Sequence, residues 1–140
     1  RVSFCRPISR FQAIRHKIAA MAVKHEAARA LTYHALRRFH SGADAIDEVT
    51  QAKLLSQRYA CEVADDAIQV HGSYGYSNEY PVERFWRNSR GAVIYEGTRE
   101  IHTLIQADYA LGYRVDKPLR CPQPPAPGFE TAEELAGVAR

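Results

Sequence analysis

The chain has 140 residues, of which 46% are hydrophobic and 25% charged, with a formal net charge of +3. This size and apolar content suit one domain with a single core and leave no room for a second domain of ordinary size. No apolar run reaches the roughly 20 residues of a membrane-spanning helix, and no basic cluster is interleaved with aromatic residues, so we predict neither a membrane segment nor nucleic-acid binding.

The first predicted element is a long amphipathic helix over residues 8–40, a stretch without Pro or Gly. Pro7 stands where a helix start tolerates proline, because the first N–H groups of a helix have no partner within it. Ser41 and Gly42 end the helix. Its predicted inner face repeats at steps of three and four residues: Phe11, Ile14, Ile18, Met21, His25, Ala28, Thr32 and Ala35.

A second helix is predicted over residues 44–70, where Ala60 and Ala64 allow a neighbouring helix to approach closely. One side of this helix is formed by residues at helical spacing: Leu55, Tyr59, Val63, Ala67 and Val70. The segment from His71 to Gly75 then breaks the helix.

Two shorter helices follow: one begins at Pro81 and extends to about Gly91, and Thr98 caps another that ends near Leu111. No segment of useful length alternates apolar and polar residues as a half-buried strand does. We therefore predict an all-α fold, an antiparallel four-helix bundle over residues 1–117. The proline-rich residues 118–140 are predicted to form an extended tail.

The cysteines and histidines are assigned neither to disulfides nor to a metal site, and His71 and His102 are expected to be structural or to lie near the site. Cys5, Cys61 and Cys121 are odd in number and far apart, which indicates reduced thiols in a cytosolic protein. No pair of histidines has the spacing that places two metal ligands on one helix face, so no metal site is predicted. The histidines considered are His16, His25, His34, His40, His71 and His102.

The loop Tyr95-Glu96-Gly97-Thr98, between the last two predicted helices, carries the candidate chemistry. A carboxylate with apolar neighbours on a short loop is suited to act as a general base. Gly97 lets the backbone come close to a ligand, and the helix start at Thr98 attracts electron-rich groups. On spacing alone, the simpler interpretation is that Glu96 is an exposed loop acid, Gly97 a turn residue and Thr98 an ordinary cap, since such loops are common.

Five short blocks, in this order and at this spacing, favour the chemical interpretation, because together they resemble the acyl-CoA dehydrogenases. They are Arg1-x-x-Phe4, Phe11-Gln12, and the segments Ala-Asp-Asp-Ala-Ile-Gln-Val-His-Gly at 64–72, Tyr-Pro-Val-Glu-Arg at 80–84 and Ile-Tyr-Glu-Gly-Thr at 94–98.

The resemblance implies the carboxy-terminal four-helix bundle of an FAD-dependent acyl-CoA dehydrogenase, in a homotetramer whose paired subunits share their flavin sites. Glu96 would be the catalytic base that removes the α-proton of an acyl-CoA, while a hydride passes from the β-carbon to FAD. The Glu96 N–H and a flavin hydroxyl would stabilise the thioester oxygen. Tyr95 and Gly97 would contact the substrate. An electron-transferring flavoprotein would be the onward partner, in the bacterial cytoplasm or the mitochondrial matrix.

The resemblance also implies a set of FAD contacts. A neighbouring subunit would supply Arg1, Ser3, Phe4, Gln12, Gln69 and Gly72, and the catalytic subunit would supply Thr98 and Glu100. A guanidinium such as that of Arg1 suits a diphosphate. Three residues depart from the family pattern: Cys5 and Ser73 stand where Gly is usual, and Glu100 stands where Gln is frequent.

The family's amino-terminal helical domain and middle β-domain have no counterpart in these residues, so the resemblance implies one domain of an enzyme. The alternative is a catalytically silent helical module that mediates subunit association. The segment from Tyr95 to His102 is as similar to that of the glutaryl-CoA dehydrogenase branch as to that of the straight-chain enzymes. It favours short, branched or carboxylated acyl groups.

Overall fold

The computed structural model describes residues 1–113, so the predicted tail, residues 118–140, lies outside the described residues. The chain opens with a small antiparallel hairpin of strands β1 (Val2–Ser3) and β2 (Arg6–Pro7). Its two turn residues, Phe4 and Cys5, have φ angles of 52° and 60°. Positive φ at both central positions is the geometry of a two-residue hairpin turn, and Cys5 adopts it without the conformational freedom of the usual Gly.

The hairpin corrects the predicted start of the first helix. Helix α1 spans Gln12–His40, and Ile8–Arg10 form a single 3-10 turn before it. Pro7 lies in β2 and is the N-cap of this 3-10 turn, whereas α1 begins five residues later. A proline is as compatible with a short edge strand as with a helix start, and the Ile8 N–H donates to the Arg1 carbonyl at 3.1 Å, which closes the hairpin.

Helix α2 (Ile46–His71) runs antiparallel to α1 and packs along it. Ion pairs at three levels join the two helices, and each step forward on α1 is matched by a step backward on α2: Lys17 with Asp66, Lys24 with Glu62 at 2.7 Å, and Arg38 with Glu48 at 2.9 Å. The predicted antiparallel arrangement is therefore confirmed for this pair.

The face of α1 that meets α2 differs in part from the predicted one. Ile14, Met21, Ala28 and Ala35 are buried or half-buried as predicted, whereas Ile18, His25 and Thr32 are exposed. Because an α-helix has 3.6 residues per turn, repeated steps of four move around the helix, and a contact stripe must alternate them with steps of three. Those steps fall on half-buried residues that the prediction left out: Lys17, Lys24 and Leu31. Lysine can occupy such positions because its apolar stem packs while its ammonium group reaches a carboxylate.

Three shorter helices complete the described part of the chain: α3 (Ser73–Tyr76), α4 (Val82–Ala92) and α5 (Arg99–Ala110). Helix α2 contacts α1, α3, α4 and α5, so it is the centre of the bundle. The helical fold class is confirmed, and the predicted bounds of α4 and α5 agree to within a residue or two. The predicted break over residues 71–75 is confined to Gly72, because α2 includes His71 and the additional single-turn helix α3 begins at Ser73.

The buried hydrophobic positions of the described residues are small, which lets the helices approach α2 closely. They include Ala35, Ala45, Ala52, Ala64 and Val82. The predicted close approach at Ala64 is confirmed, but Ala60 is exposed. Within residues 1–113, no helix combines the length and apolar character needed to cross a membrane.

Candidate functional site

The predicted loop lies between the end of α4 at Ala92 and the start of α5 at Arg99. Backbone hydrogen bonds close it at both ends: the Tyr95 N–H donates to the Gly91 carbonyl at 3.3 Å, and the Arg99 N–H donates to the Val93 carbonyl at 3.2 Å. Thr98 is the N-cap of α5, and its hydroxyl accepts from the Ile101 N–H at 3.4 Å. The cap predicted at Thr98 is confirmed.

Glu96 sits at the apex of this loop in a strained backbone conformation. Its φ is 54°, in the left-handed region that costs a non-glycine residue about 1–2 kcal/mol. Strain of this kind concentrates at functional sites, where the surrounding contacts hold it in place. The Glu96 side chain is exposed, and no residue within 1–113 accepts a hydrogen bond from its N–H. A carboxylate and an N–H on one residue are thus both available to a ligand.

Two side chains from different helices hold the backbone of Glu96. Lys53 of α2 donates through Nζ to the Tyr95 carbonyl at 2.7 Å and to the Glu96 carbonyl at 3.3 Å. His102 of α5 places Nε2 at 3.3 Å from the same Glu96 carbonyl. A carbonyl oxygen only accepts, so Nε2 is the protonated ring nitrogen. The sequence pattern does not single out Lys53, because it lies more than forty positions from the loop.

A side chain at Gly97 is disfavoured for two reasons, the backbone conformation of Gly97 and the nearby ring of His102. Its φ is +93°, and a Cβ added at this position would lie 2.7 Å from Nε2 of His102. The glycine was predicted to allow close approach of a ligand; the described residues show close approach of the His102 ring. A side chain here would displace the ring that contacts the Glu96 carbonyl.

We expect Gly97→Ala to lower the free energy of unfolding by roughly 2 kcal/mol, since it adds both φ strain and a collision with His102. In a His102→Ala background the collision is absent, so the same change should cost only about 1 kcal/mol. Urea unfolding of the four proteins of this double-mutant cycle measures the difference. Equal costs in both backgrounds would contradict the proposed contact.

A second cluster joins the first residue of the chain to the end of α2. A Cβ on Gly72, whose φ is +65°, would lie 3.7 Å from Nη1 of Arg1. Gln69 is in the last turn of α2, and its carbonyl accepts from the Gly72 N–H at 3.3 Å. No carboxylate within the described residues forms an ion pair with Arg1. A guanidinium above a backbone without a side chain fits a diphosphate group.

The other expected FAD contacts from the neighbouring subunit lie in the hairpin and at the start of α1. Ser3 is half-buried in β1, Phe4 is 86% exposed in the hairpin turn, and Gln12 is the exposed first residue of α1. Phe4 packs edge-on against Phe11, with ring centroids 6.2 Å apart. The expected neighbouring-subunit group therefore spans the hairpin, the start of α1 and the end of α2.

Glu100 lies in the first turn of α5 as predicted, where its negative charge faces the helix N-terminus. A hydrogen bond from its own backbone N–H and another from the Arg99 side chain lower the pKa of Glu100, so the group stays ionised at neutral pH. The Arg99 guanidinium, 3.1 Å away, offsets this charge. An acid at this position is therefore compatible with an anionic neighbour.

Within residues 1–113, no hydrogen bond or ion pair joins the Arg1–Gly72 cluster to the Glu96 loop. The resemblance assigns these two groups to FAD contacts from different subunits. No group of three or more metal-ligating side chains is placed to hold an ion in the part of the chain that the structure describes.

Comparison with known proteins identifies the family of this chain. Residues 1–111 match the family model of the acyl-CoA dehydrogenase C-terminal domain. An acyl-CoA dehydrogenase from Bacillus subtilis is 46% identical over 112 residues, which are 80% of this chain and 30% of that protein. The chain therefore spans about 30% of the length of this relative.

Solved structures agree with the sequence relatives. Butyryl-CoA dehydrogenase from Megasphaera elsdenii superimposes with a TM-score of 0.78 at 38% identity, covering 79% of this chain and 29% of that one. The FAD complex of PigA superimposes with a TM-score of 0.75 at 30% identity, covering 80% and 29%. With its helices, its loop and its matched residues 1–111, the chain belongs to the acyl-CoA dehydrogenase family, in which it corresponds to the C-terminal domain.

Proposed function

We propose that this chain is the catalytic-base domain of an FAD-dependent enzyme that dehydrogenates an acyl-CoA between its α- and β-carbons. The observation that carries the proposal is Glu96: a carboxylate and a free N–H on one strained residue, in a chain of this family. Isolated acids in helix–helix loops are common, whereas backbone strain at a non-glycine residue concentrates at functional sites.

In the proposed reaction, the Glu96 carboxylate accepts the α-proton of the thioester. The electrons of that C–H bond form the new α,β double bond. FAD, when bound, accepts the hydride that leaves the β-carbon. Because negative charge develops on the thioester oxygen as the proton leaves, a hydrogen bond from the Glu96 N–H lowers the barrier. One residue thus supplies both the base and an oxyanion donor.

Arg1, Gln69 and Gly72 are proposed to hold the FAD diphosphate and adenosine half from a neighbouring subunit, together with Ser3, Phe4 and Gln12. Thr98 and Glu100 are proposed to contact FAD from the catalytic subunit, and Tyr95 and Gly97 to line the acyl-CoA site. The pairing of Arg1 with Gly72 supports a diphosphate site, and the N-cap at Thr98 supports an electron-rich neighbour.

Further parts of the proposal follow from family membership. The protein is proposed to act as a homotetramer, to pass its electrons to an electron-transferring flavoprotein, and to work in the bacterial cytoplasm or the mitochondrial matrix. Its acyl group is proposed to be short, branched or carboxylated, because the loop segment is shared with the glutaryl-CoA dehydrogenase branch.

A panel of acyl-CoA thioesters tests this function. We expect the polypeptide that carries this chain, expressed from its natural reading frame, to purify with FAD. Anaerobic addition of one or more saturated acyl-CoAs should bleach the flavin absorbance and yield the α,β-unsaturated thioester. A silent module for subunit association would instead purify as an oligomer whose flavin, if present, no acyl-CoA reduces.

A further inference from the structure

Lys53 makes a contact that the proposed reaction does not yet use. Its Nζ lies 2.7 Å from the Tyr95 carbonyl and 3.3 Å from the Glu96 carbonyl, and 5.5 Å from the centre of the Tyr95 ring. Lys53 is half-buried on α2, and none of the ion pairs within the described residues includes it. Its hydrogen-bonding capacity is therefore directed at the loop backbone.

The Tyr95 carbonyl and the Glu96 N–H belong to the same peptide group. A trans peptide is planar, with its C=O and N–H pointing in opposite directions, so a donor that holds the oxygen also sets the direction of the N–H. An ammonium group that donates to the carbonyl oxygen draws electron density from the amide, which makes the N–H a stronger donor. Successive hydrogen bonds in a chain polarise one another in the same way. The charge on Lys53 thus acts on the far side of this peptide.

The next peptide group is held in the same way. The Glu96 carbonyl, which belongs to the Glu96–Gly97 peptide, receives Nζ of Lys53 and Nε2 of His102 from two different helices. With both flanking peptides held, Glu96 stays at φ 54° although a non-glycine residue disfavours that conformation. The cost of the strained conformation is offset by contacts from α2 and α5.

We propose that Lys53 is a positioning residue that orients and polarises the Glu96 N–H toward the thioester oxygen of the substrate, with His102 securing the adjoining peptide. This inference rests on the proposed function of Glu96. Lys53 touches neither substrate nor reacting atoms; it acts through the Tyr95–Glu96 peptide. Loss of its charge should therefore weaken transition-state stabilisation more than ground-state binding of the acyl-CoA.

The test compares Lys53→Met and Lys53→Arg with the control Lys24→Met in the FAD-loaded polypeptide. Lys24 has the same stem and is also half-buried, but it pairs with Glu62 between α1 and α2, away from the loop. We expect Lys53→Met to slow anaerobic flavin reduction by roughly tenfold to a hundredfold, less than the loss of a direct oxyanion donor. Lys53→Arg should recover most of this rate, and Lys24→Met should stay within about threefold of the unchanged protein.

A spectroscopic readout separates polarisation from a loss of structure. The absorption of an aryl-acryloyl-CoA bound at the site shifts to longer wavelength when its thioester oxygen accepts a strong hydrogen bond. We expect Lys53→Met to reduce this shift while binding of the same ligand changes by less than about threefold. If Lys53→Met does not fold, Lys53→Gln, which keeps a neutral donor, should show an intermediate shift.

The outcomes distinguish this inference from the proposed function. A Lys53→Met protein whose shift and reduction rate equal those of Lys24→Met overturns the role of Lys53 and leaves Glu96 as the base. If no acyl-CoA reduces the flavin of the unchanged protein, the proposed function fails first. An unchanged shift in Lys53→Gln and Lys53→Met alike also rejects polarisation through the peptide.

Discussion

Glu96→Gln is expected to slow the anaerobic reduction of bound flavin by acyl-CoA by roughly a thousandfold or more, while FAD content stays unchanged. The amide has nearly the size of the carboxylate but cannot accept the α-proton. The backbone N–H is retained, so binding and polarisation of the thioester should persist in this variant. Stopped-flow measurement of the flavin absorbance gives the rate, and titration with the unsaturated product gives the affinity.

The matched control is Glu26→Gln on α1. Glu26 is exposed, and its carboxylate binds the Arg29 side chain at 2.7 Å, far along the chain from the loop. That contact lowers the pKa of Glu26, as in an ordinary surface ion pair, and Glu26 has no part in the proposed reaction. The control should reduce flavin at the unchanged rate. Comparable rates in Glu26→Gln and Glu96→Gln would remove Glu96 from its assigned role as the base.

The elements predicted correctly are those with local signals. Pro81 has no N–H to leave unpaired, and the Thr98 hydroxyl accepts a hydrogen bond from an N–H of the first turn. Both signals lie within a few residues of the helix start, so the bounds of α4 and α5 are predicted closely. The hairpin at Val2–Pro7 was missed because strands of two residues are too short to show alternation. The predicted inner face of α1 is partly wrong, since it leaves out the half-buried Lys17 and Lys24, which pair with carboxylates of α2.

In the candidate site, too, local features could be predicted from the sequence and contacts between distant residues could not. The Glu96 loop was visible as a motif, but its roles came from a resemblance and not from spacing. The contact of Lys53 with the Tyr95 carbonyl depends on how α2 packs against the segment after α4, and no local pattern encodes that packing. The proximity of Arg1 to Gly72 is equally non-local, although both had been assigned to one group of FAD contacts.

Gly75→Ala is expected to have the largest effect on stability among the substitutions considered, lowering the free energy of unfolding by about 3 kcal/mol. Gly75 is buried in α3, directly against the last turn of α2. An added Cβ would lie 2.6 Å from the Ile68 carbonyl oxygen and 2.9 Å from both Ile68 Cα and His71 Cβ. Backbone atoms of a helix cannot rotate away, so α3 itself must move.

Gly42→Ala is the informative control, because its φ of +75° imposes strain while nothing lies within 4 Å of the added Cβ. It should cost only about 1 kcal/mol, the penalty of the left-handed conformation alone. Thermal and urea unfolding of both variants give the comparison. Because Gly72 forms the corner between α2 and α3, a displaced α3 also disturbs the pairing of Arg1 with Gly72. Gly75→Ala should therefore lower FAD retention as well as stability, whereas Gly42→Ala should leave FAD retention unchanged; the opposite order would show that this corner does not support the cofactor.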